Sequence, residues 1–340
     1  MVSKRTFDIR DLTSEESLKT IVAREEDQGL RMDHFLCRHL PWMSRSAIQK
    51  LASHCSISCD AERLNGNRIK SSTRVEAGDR IQVRLKRIPK DLEDAQRDPP
   101  LKDVEVLYED ELMLVINKPA GVPVHPVGMN LHRTILTALH HLYRNPDDPE
   151  KDVHPRLVHR LDLETSGVLV VAKEDATLKA LTAQFKARIV KKEYIAVVYG
   201  LLEADEGEID LPLGYSDNPA VPYRQEVRAE DGHKAITRYE VIKRNDRLTW
   251  VRLLPQTGRK HQLRVHMAAL GHPIVGDKIY GPDEKYYFKA RYAPPGPEDL
   301  KELLLPRQAL HAYKLDLVHP GRNAWISFEA PLPEEFGTLE

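Results

Sequence analysis

Apolar residues recur at helical spacing in a few short stretches of this chain and at strand spacing in many more. In RMDHFLCRHL, Met32, Phe35, Leu36 and Leu40 share one helical face. PWMSRSAIQKLAS predicts a second helix, with Ser44 as N-cap and Ala47, Ile48, Leu51 and Ala52 as its apolar stripe. SIS, NRI and GDRIQVRL, the last with Ile81, Val83 and Leu85 alternating, read as short strands separated by the turn signals NGN and AGD. After a proline- and charge-rich run, KRIPKDLEDAQRDPP, strands dominate. DVEVLYEDELMLVINKP predicts a hairpin turning at Glu109 and Asp110, and AITRYEVIKRNDRLTWVRLLP a second turning at Asn245 and Asp246. GVLVVAKED is almost wholly apolar, as expected of a central strand covered on both faces. EYIAVVYG and AWISFEAP are further strands. Two helices interrupt them: ATLKALTAQFKAR, built on Leu178, Leu181 and Phe185, and TGRKHQLRVHMAALG, opened at Gly258 and closed by Gly271. No period repeats. This irregular order of strands and helices predicts an α+β fold rather than a doubly wound sheet.

The chain has 340 residues, room for two or three domains. The pattern divides it into a polar extension over 1–21, a small unit over 22–87, a linker over 88–102 and a large unit over 103–340. Apolar content of 41% and charged content of 30% fit a globular protein, and a formal charge of −1 gives no global attraction to nucleic acid. Attraction must come from local patches. Arg31, Arg38, Arg45, Lys50, Arg63, Arg68 and Lys70 bias the small unit positive. The three cysteines, Cys37, Cys55 and Cys59, lack the partners of a zinc set, and so few of them suit a reducing compartment. The first residues have no apolar core of a secretion signal, and no apolar run approaches the roughly 20 residues of a membrane span. The expected location is the cytoplasm.

Two segments carry most of the candidate chemistry. RLVHRLDLETSG sets one carboxylate, Asp162, among Arg156, His159 and Arg160, immediately before the apolar strand. Neighbouring cations would keep it ionised. On these residues alone it is either a structural ion pair at a strand start or a nucleophile or base. A glycosidase pairing of Asp162 with Glu164 has no aromatic sugar platform to support it. LPQTGRKHQLRVHMAALGHPIVGDKIYG carries Arg259, Lys260, His261, Arg264 and His266. It reads either as a solvated basic helix or as a group reaching a phosphate or a carboxylate such as Asp162. His261 and His266 are five apart, not the spacing of a metal-binding helix. KKEYIAVVYG adds Tyr194, and INKPAGVPVHP is a stiff loop bordered by Lys118 and His125.

Together HRLDLETSG, KKEY, TGRKHQLRVHMAALGHPIVGD, INKPAGVPVHP, RQALHAYKLDLVHP and FEAPLP resemble, in residues 103–333, the pseudouridine synthases of the RluA/RluC/RluD family. The 22–87 unit resembles the alpha-L RNA-binding domain that often precedes them. The resemblance implies a mixed, mainly antiparallel central sheet with flanking helices. It implies an isomerase that turns uridine in RNA into pseudouridine without cofactor or metal, acting as a monomer and away from membranes. Large-subunit ribosomal RNA is the favoured substrate. Transfer RNA, or a non-catalytic role in ribosome assembly, is the alternative. It implies Asp162 as the catalytic aspartate, Arg264 as its basic partner, and Tyr194 stacking on the target base. Arg160 would enter the RNA stack as the uridine turns out. His159, Lys118, His261 and, in the small unit, Arg45 are expected as substrate-binding residues, Lys118 and His261 by lining the cleft or else holding its loops.

Overall fold

In the computed structural model of the chain, the apolar run after Asp162 is the buried centre of a large sheet. The residues described are 6–7, 18–39, 48–49, 57–60, 69–84, 104–125, 134–143, 153–218, 221, 223–290 and 293–340. The predicted second helix, apart from Ile48 and Gln49, lies outside them, with Ser44 and Arg45. So do Cys55, the linker over 88–102 and the acidic stretch RNPDDPEKD. The described residues divide into two units, one within 1–7, 96–122 and 156–340, the other within 8–95 and 123–155.

Strand β1 (Thr6–Phe7) belongs to the first unit. The second holds an antiparallel three-stranded sheet in the order β2 (Leu18–Val22), β4 (Arg80–Arg84), β3 (Ile57–Cys59). The predicted helix forms over Met32–His39, and its stripe of Met32, Phe35 and Leu36 is fully buried with Ile48, Val75, Ile81 and Val83. Two of the residues that give this unit its basic bias also pair with buried acids: Arg31 with Asp33 at 3.0 Å and Arg38 with Asp27 at 3.2 Å.

The larger unit is built on an eleven-stranded mixed sheet. Its first edge runs β1, β5 (Val104–Glu109), β6 (Met113–Lys118) and β8 (Ser166–Ala172). It continues through β15 (Leu310–Val318), β9 (Lys191–Tyr199), β14 (Leu248–Pro255), β13 (Ile236–Arg244) and β10 (Glu206–Asp210). β7 (Arg156–Leu157) pairs with β8, and β16 (Trp325–Glu329) with β15, while β11 (Leu213–Tyr215) and β12 (Gln225–Val227) form a separate two-stranded sheet. Only β8 and β15 run parallel; the other pairs are antiparallel. The fold is α+β, as the pattern predicts. Both expected hairpins form, and in each an Asx turn closes the loop. Asp110 accepts the N–H groups of Leu112 and Met113, and Asn245 those of Arg247 and Leu248.

All seven residues of β8 are buried, because it lies between β6 and β15 with apolar clusters against it. Gly167 is the residue that permits its pairing with β15. Its φ is +112°, and a Cβ there would sit 2.2 Å from the carbonyl oxygen of Ala312. Gly167→Ala is therefore expected to destabilise the unit by about 3 kcal/mol, through overpacking and backbone strain together. Chemical denaturation measures this directly.

Candidate active site

The turn between β7 and β8 is where the sequence puts Asp162, and it is pinned from below. Lys118, at the end of β6, is fully buried. Its Nζ donates to the carbonyls of Pro119 at 2.8 Å, Val122 at 2.9 Å and Leu163 at 3.1 Å. Burial, aided by Arg307, pushes its pKa down to about 7. Lys118 was expected to bind substrate, but it is not among the residues lining the cleft. An ammonium with three carbonyl partners fixes the loop after β6 to the residue following Asp162. The Thr165 N–H closes the turn onto the Asp162 carbonyl at 3.1 Å.

Above this turn opens a cleft of about 360 Å³. Arg160, Lys192, Arg259, Lys260 and Arg264 line it, and Asp162 is the one carboxylate among its described lining residues. Arg264 joins Asp162 as the sequence suggests, Nη1 donating to Oδ2 at 3.1 Å. The bidentate face of the guanidinium points elsewhere: Nε and Nη2 donate to Asp277 at 2.6 and 2.8 Å. Asp277 is fully buried and also accepts the N–H groups of Ile279 and Tyr280. Burial would raise the pKa of both acids. For Asp277 the Arg264 charge outweighs it; for Asp162, Arg264 and Arg160 do so. Both carboxyls are held below the usual carboxylate range.

The basic segment differs from its predicted form. The helix starts at Gln262, not Gly258, and spans Gln262–Ala269. The Gln262 side chain takes the Arg259 N–H at 2.9 Å and the Thr257 hydroxyl at 2.8 Å, holding Arg259, Lys260 and His261 in a turn ahead of the helix. His261 has a left-handed φ of 55°. At the other end Gly271 behaves as predicted: its N–H and that of His272 reach back to Ala268 and Met267, a Schellman closure.

His261 lines the cleft with Nε2 4.0 Å from Asp162 Oδ1, and its Nδ1 lies 2.8 Å from the Tyr280 hydroxyl. Burial and the Arg264 charge push its pKa down to about 3, so the ring is neutral near neutral pH. His159 also lines the cleft, but its expected role in keeping Asp162 ionised does not hold. Burial lowers its pKa to about 3, its Nε2 accepts the Val170 N–H at 3.0 Å, and the ring stacks on Phe185. It fastens the turn to β8. Tyr194 on β9 faces the cleft, and burial, then Asp162, raises its pKa. Arg160 is exposed at the cleft. Glu164 is outside the lining, bound to Lys278 at 2.6 Å, which removes the two-acid arrangement of a glycosidase. Sequence reasoning passed over Asp277 and Tyr280, although both stand in HPIVGDKIYG; an acid inside an apolar run, needing a buried partner, was the available signal. Among the described residues no group of three His, Cys, Asp or Glu could hold a metal, and no helix is long and apolar enough to cross a membrane.

Residues 112–269, which include Asp162, Tyr194 and Arg264, match the family described as RNA pseudouridylate synthase. An uncharacterized RNA pseudouridine synthase of Bacillus subtilis, YlyB, is 34% identical over 94% of this chain and 96% of its own. The chain belongs to the RNA pseudouridine synthase family. Its activity is that of an RNA pseudouridine synthase, as the motifs imply. The ribosomal large subunit pseudouridine synthase D of Nitrosomonas europaea is 36% identical over 96% of this chain and 88% of its own. The structure of human RNA pseudouridylate synthase domain containing 1 matches with a TM-score of 0.52 at 26% identity. That match covers 70% of this synthase and 86% of the human chain. The α+β sheet described above is thus the sheet of a pseudouridine synthase.

Proposed function

We propose that this synthase isomerises uridines of large-subunit ribosomal RNA, with Asp162 as the group that acts on the ribose–uracil unit. The observation that supports this best is that, among the described lining residues of the cleft, one carboxylate, bonded to Arg264, stands with five cations. The name borne by the Nitrosomonas relative supports the choice of RNA. In the reaction the bond between uracil N1 and ribose C1′ breaks, the base turns over, and C5 joins C1′. The proton that leaves C5 is matched by one gained at N1, so atoms balance without a co-reactant. An ionised carboxylate serves as nucleophile toward the sugar or as base toward the uracil. The uridine must leave its stack to expose both bonds. Arg160, exposed at the cleft, is suited to fill the vacated space, and Tyr194 to stack on the turned-out base. Arg259, Lys260 and Lys192 supply phosphate contacts. We assign the 22–87 unit to RNA binding, with Arg45 as a contact.

The test is to map pseudouridines across ribosomal and transfer RNA from cells with and without the gene. Loss of one or more sites in large-subunit ribosomal RNA is expected. Loss confined to transfer RNA would move the substrate to that class, and no loss would overturn the proposal.

A further inference from the structure

Hydrogen-bond bookkeeping around Tyr280 points to a role for two residues at the cleft that charge alone does not reveal. The Tyr280 hydroxyl accepts the backbone N–H of Gln225 at 2.8 Å, a group that can only donate. Among the described residues its remaining neighbour at hydrogen-bond distance is His261 Nδ1, at 2.8 Å. The hydroxyl hydrogen therefore belongs on that bond, with Nδ1 as acceptor. The opposite tautomer would strand this hydrogen among the described residues. It would also turn the lone pair of Nε2 toward the Asp162 carboxylate 4.0 Å away, two acceptors face to face. The Tyr280 ring is itself held, packed against the Arg264 guanidinium with 5.0 Å from Cζ to the ring centroid. Asp162 meanwhile has unlike oxygens. Oδ2 is taken by Arg264, while Oδ1 has no hydrogen bond among the described residues and faces Nε2.

We infer that Tyr280 is a positioning residue that fixes His261 as its Nε2–H tautomer, so that His261 presents a neutral donor beside Oδ1, the free oxygen of Asp162. A bound nucleoside whose sugar or base reaches Oδ1 meets this donor at the same place, and one of its oxygens accepts from Nε2. The donor stays uncharged near neutral pH, so it assists an oxygen that gains negative character without competing with Arg264 for the carboxylate. The left-handed backbone at His261 holds the ring in this aim.

This inference rests on the proposed role of Asp162, but its first readout does not depend on that role. Two-bond proton–nitrogen spectra of the full-length protein labelled in histidine, with the His261 signal assigned by its loss in His261→Gln, report the tautomer directly. Protonated Nε2 is expected in the wild type, whatever part Asp162 takes in the reaction. Tyr280→Phe, which keeps the ring against Arg264, is expected to mix the two tautomers and slow pseudouridine formation about tenfold, the size of one neutral hydrogen bond. KM for the RNA should not move. His261→Gln carries an amide N–H near the Nε2 position, so it should keep more activity than His261→Asn, whose amide mimics Nδ1. In the His261→Gln background, Tyr280→Phe should cost nothing further. A wild-type ring protonated on Nδ1, or a full additional loss in the double variant, would overturn the inference. Activity retained by Asp162→Asn alongside the expected tautomer would instead reject the role given to Asp162 and leave the assignment of the tautomer standing.

Discussion

Asp162→Asn is expected to lower pseudouridine formation by roughly 10⁴-fold or more in a single-turnover assay, while RNA affinity changes by less than about twofold. The separation follows from geometry. Asn keeps the size of Asp and an oxygen that accepts from Arg264 Nη1. Arg264 keeps its two shorter bonds to Asp277, so no buried charge is left alone. Folding should survive with little change, and the cations that hold RNA are untouched. What disappears is the negative charge that can attack a sugar or take a proton. In the unmodified enzyme that charge is held ionised by Arg264 and Arg160 against the opposing effect of burial. Activity should accordingly persist as pH falls to the ordinary carboxylate range and fail only below it, as far as Asp162 controls it. A variant that retained activity would remove Asp162 from the reaction.

Both hairpins of the larger unit, and β8, β9 and β16, were legible because each signal was local, whereas β10 and the central β15 were not read as strands. Apolar alternation, an Asx turn at Asp110 or Asn245, and an uninterrupted apolar run for β8 depend on nearest neighbours. The order of the sheet was not legible, since β8 pairs in parallel with β15 some 145 positions later, and only Gly167 hints at the close approach. At the site, the motif resemblance led to Asp162 and Arg264, and their contact was there. Their partners were harder. Lys118 and His159 look like ligand-binding residues in one dimension because their charge and chemistry are visible. Whether a lysine meets three carbonyls or a phosphate depends on what surrounds it. The helix boundary was missed for a similar reason: Gln262 spends its side chain on Arg259 and Thr257, which no spacing rule anticipates.

Asp277→Ala should be the most destabilising of the substitutions at the site, by about 3–5 kcal/mol, the cost of stripping a buried ion of its partner. The two carboxylates that share Arg264 are not equivalent. Asp277 is wholly buried and takes two bonds of 2.6 and 2.8 Å; Asp162, with its side chain 20% exposed, takes one of 3.1 Å. Stability therefore resides at the Asp277 end of the guanidinium and reactivity at the Asp162 end. Loss of Asp277 also frees the two backbone N–H groups of Ile279 and Tyr280, which loosens the turn that carries Tyr280. Asp277→Asn keeps the volume but turns one amide NH₂ group toward a guanidinium that only donates, so it should fall between Ala and wild type. Chemical denaturation gives the stability ranking. Rates measured well below each variant's transition should still drop, by about 100-fold for Asp277→Ala, because Arg264 no longer has a fixed direction from which to hold Asp162. A lysine at 264 cannot reproduce this, since a point charge has no second face for a second carboxylate. Were Asp277→Ala as stable as wild type, Arg264 would not be anchored from behind, and the division of labour between its two acids would be wrong.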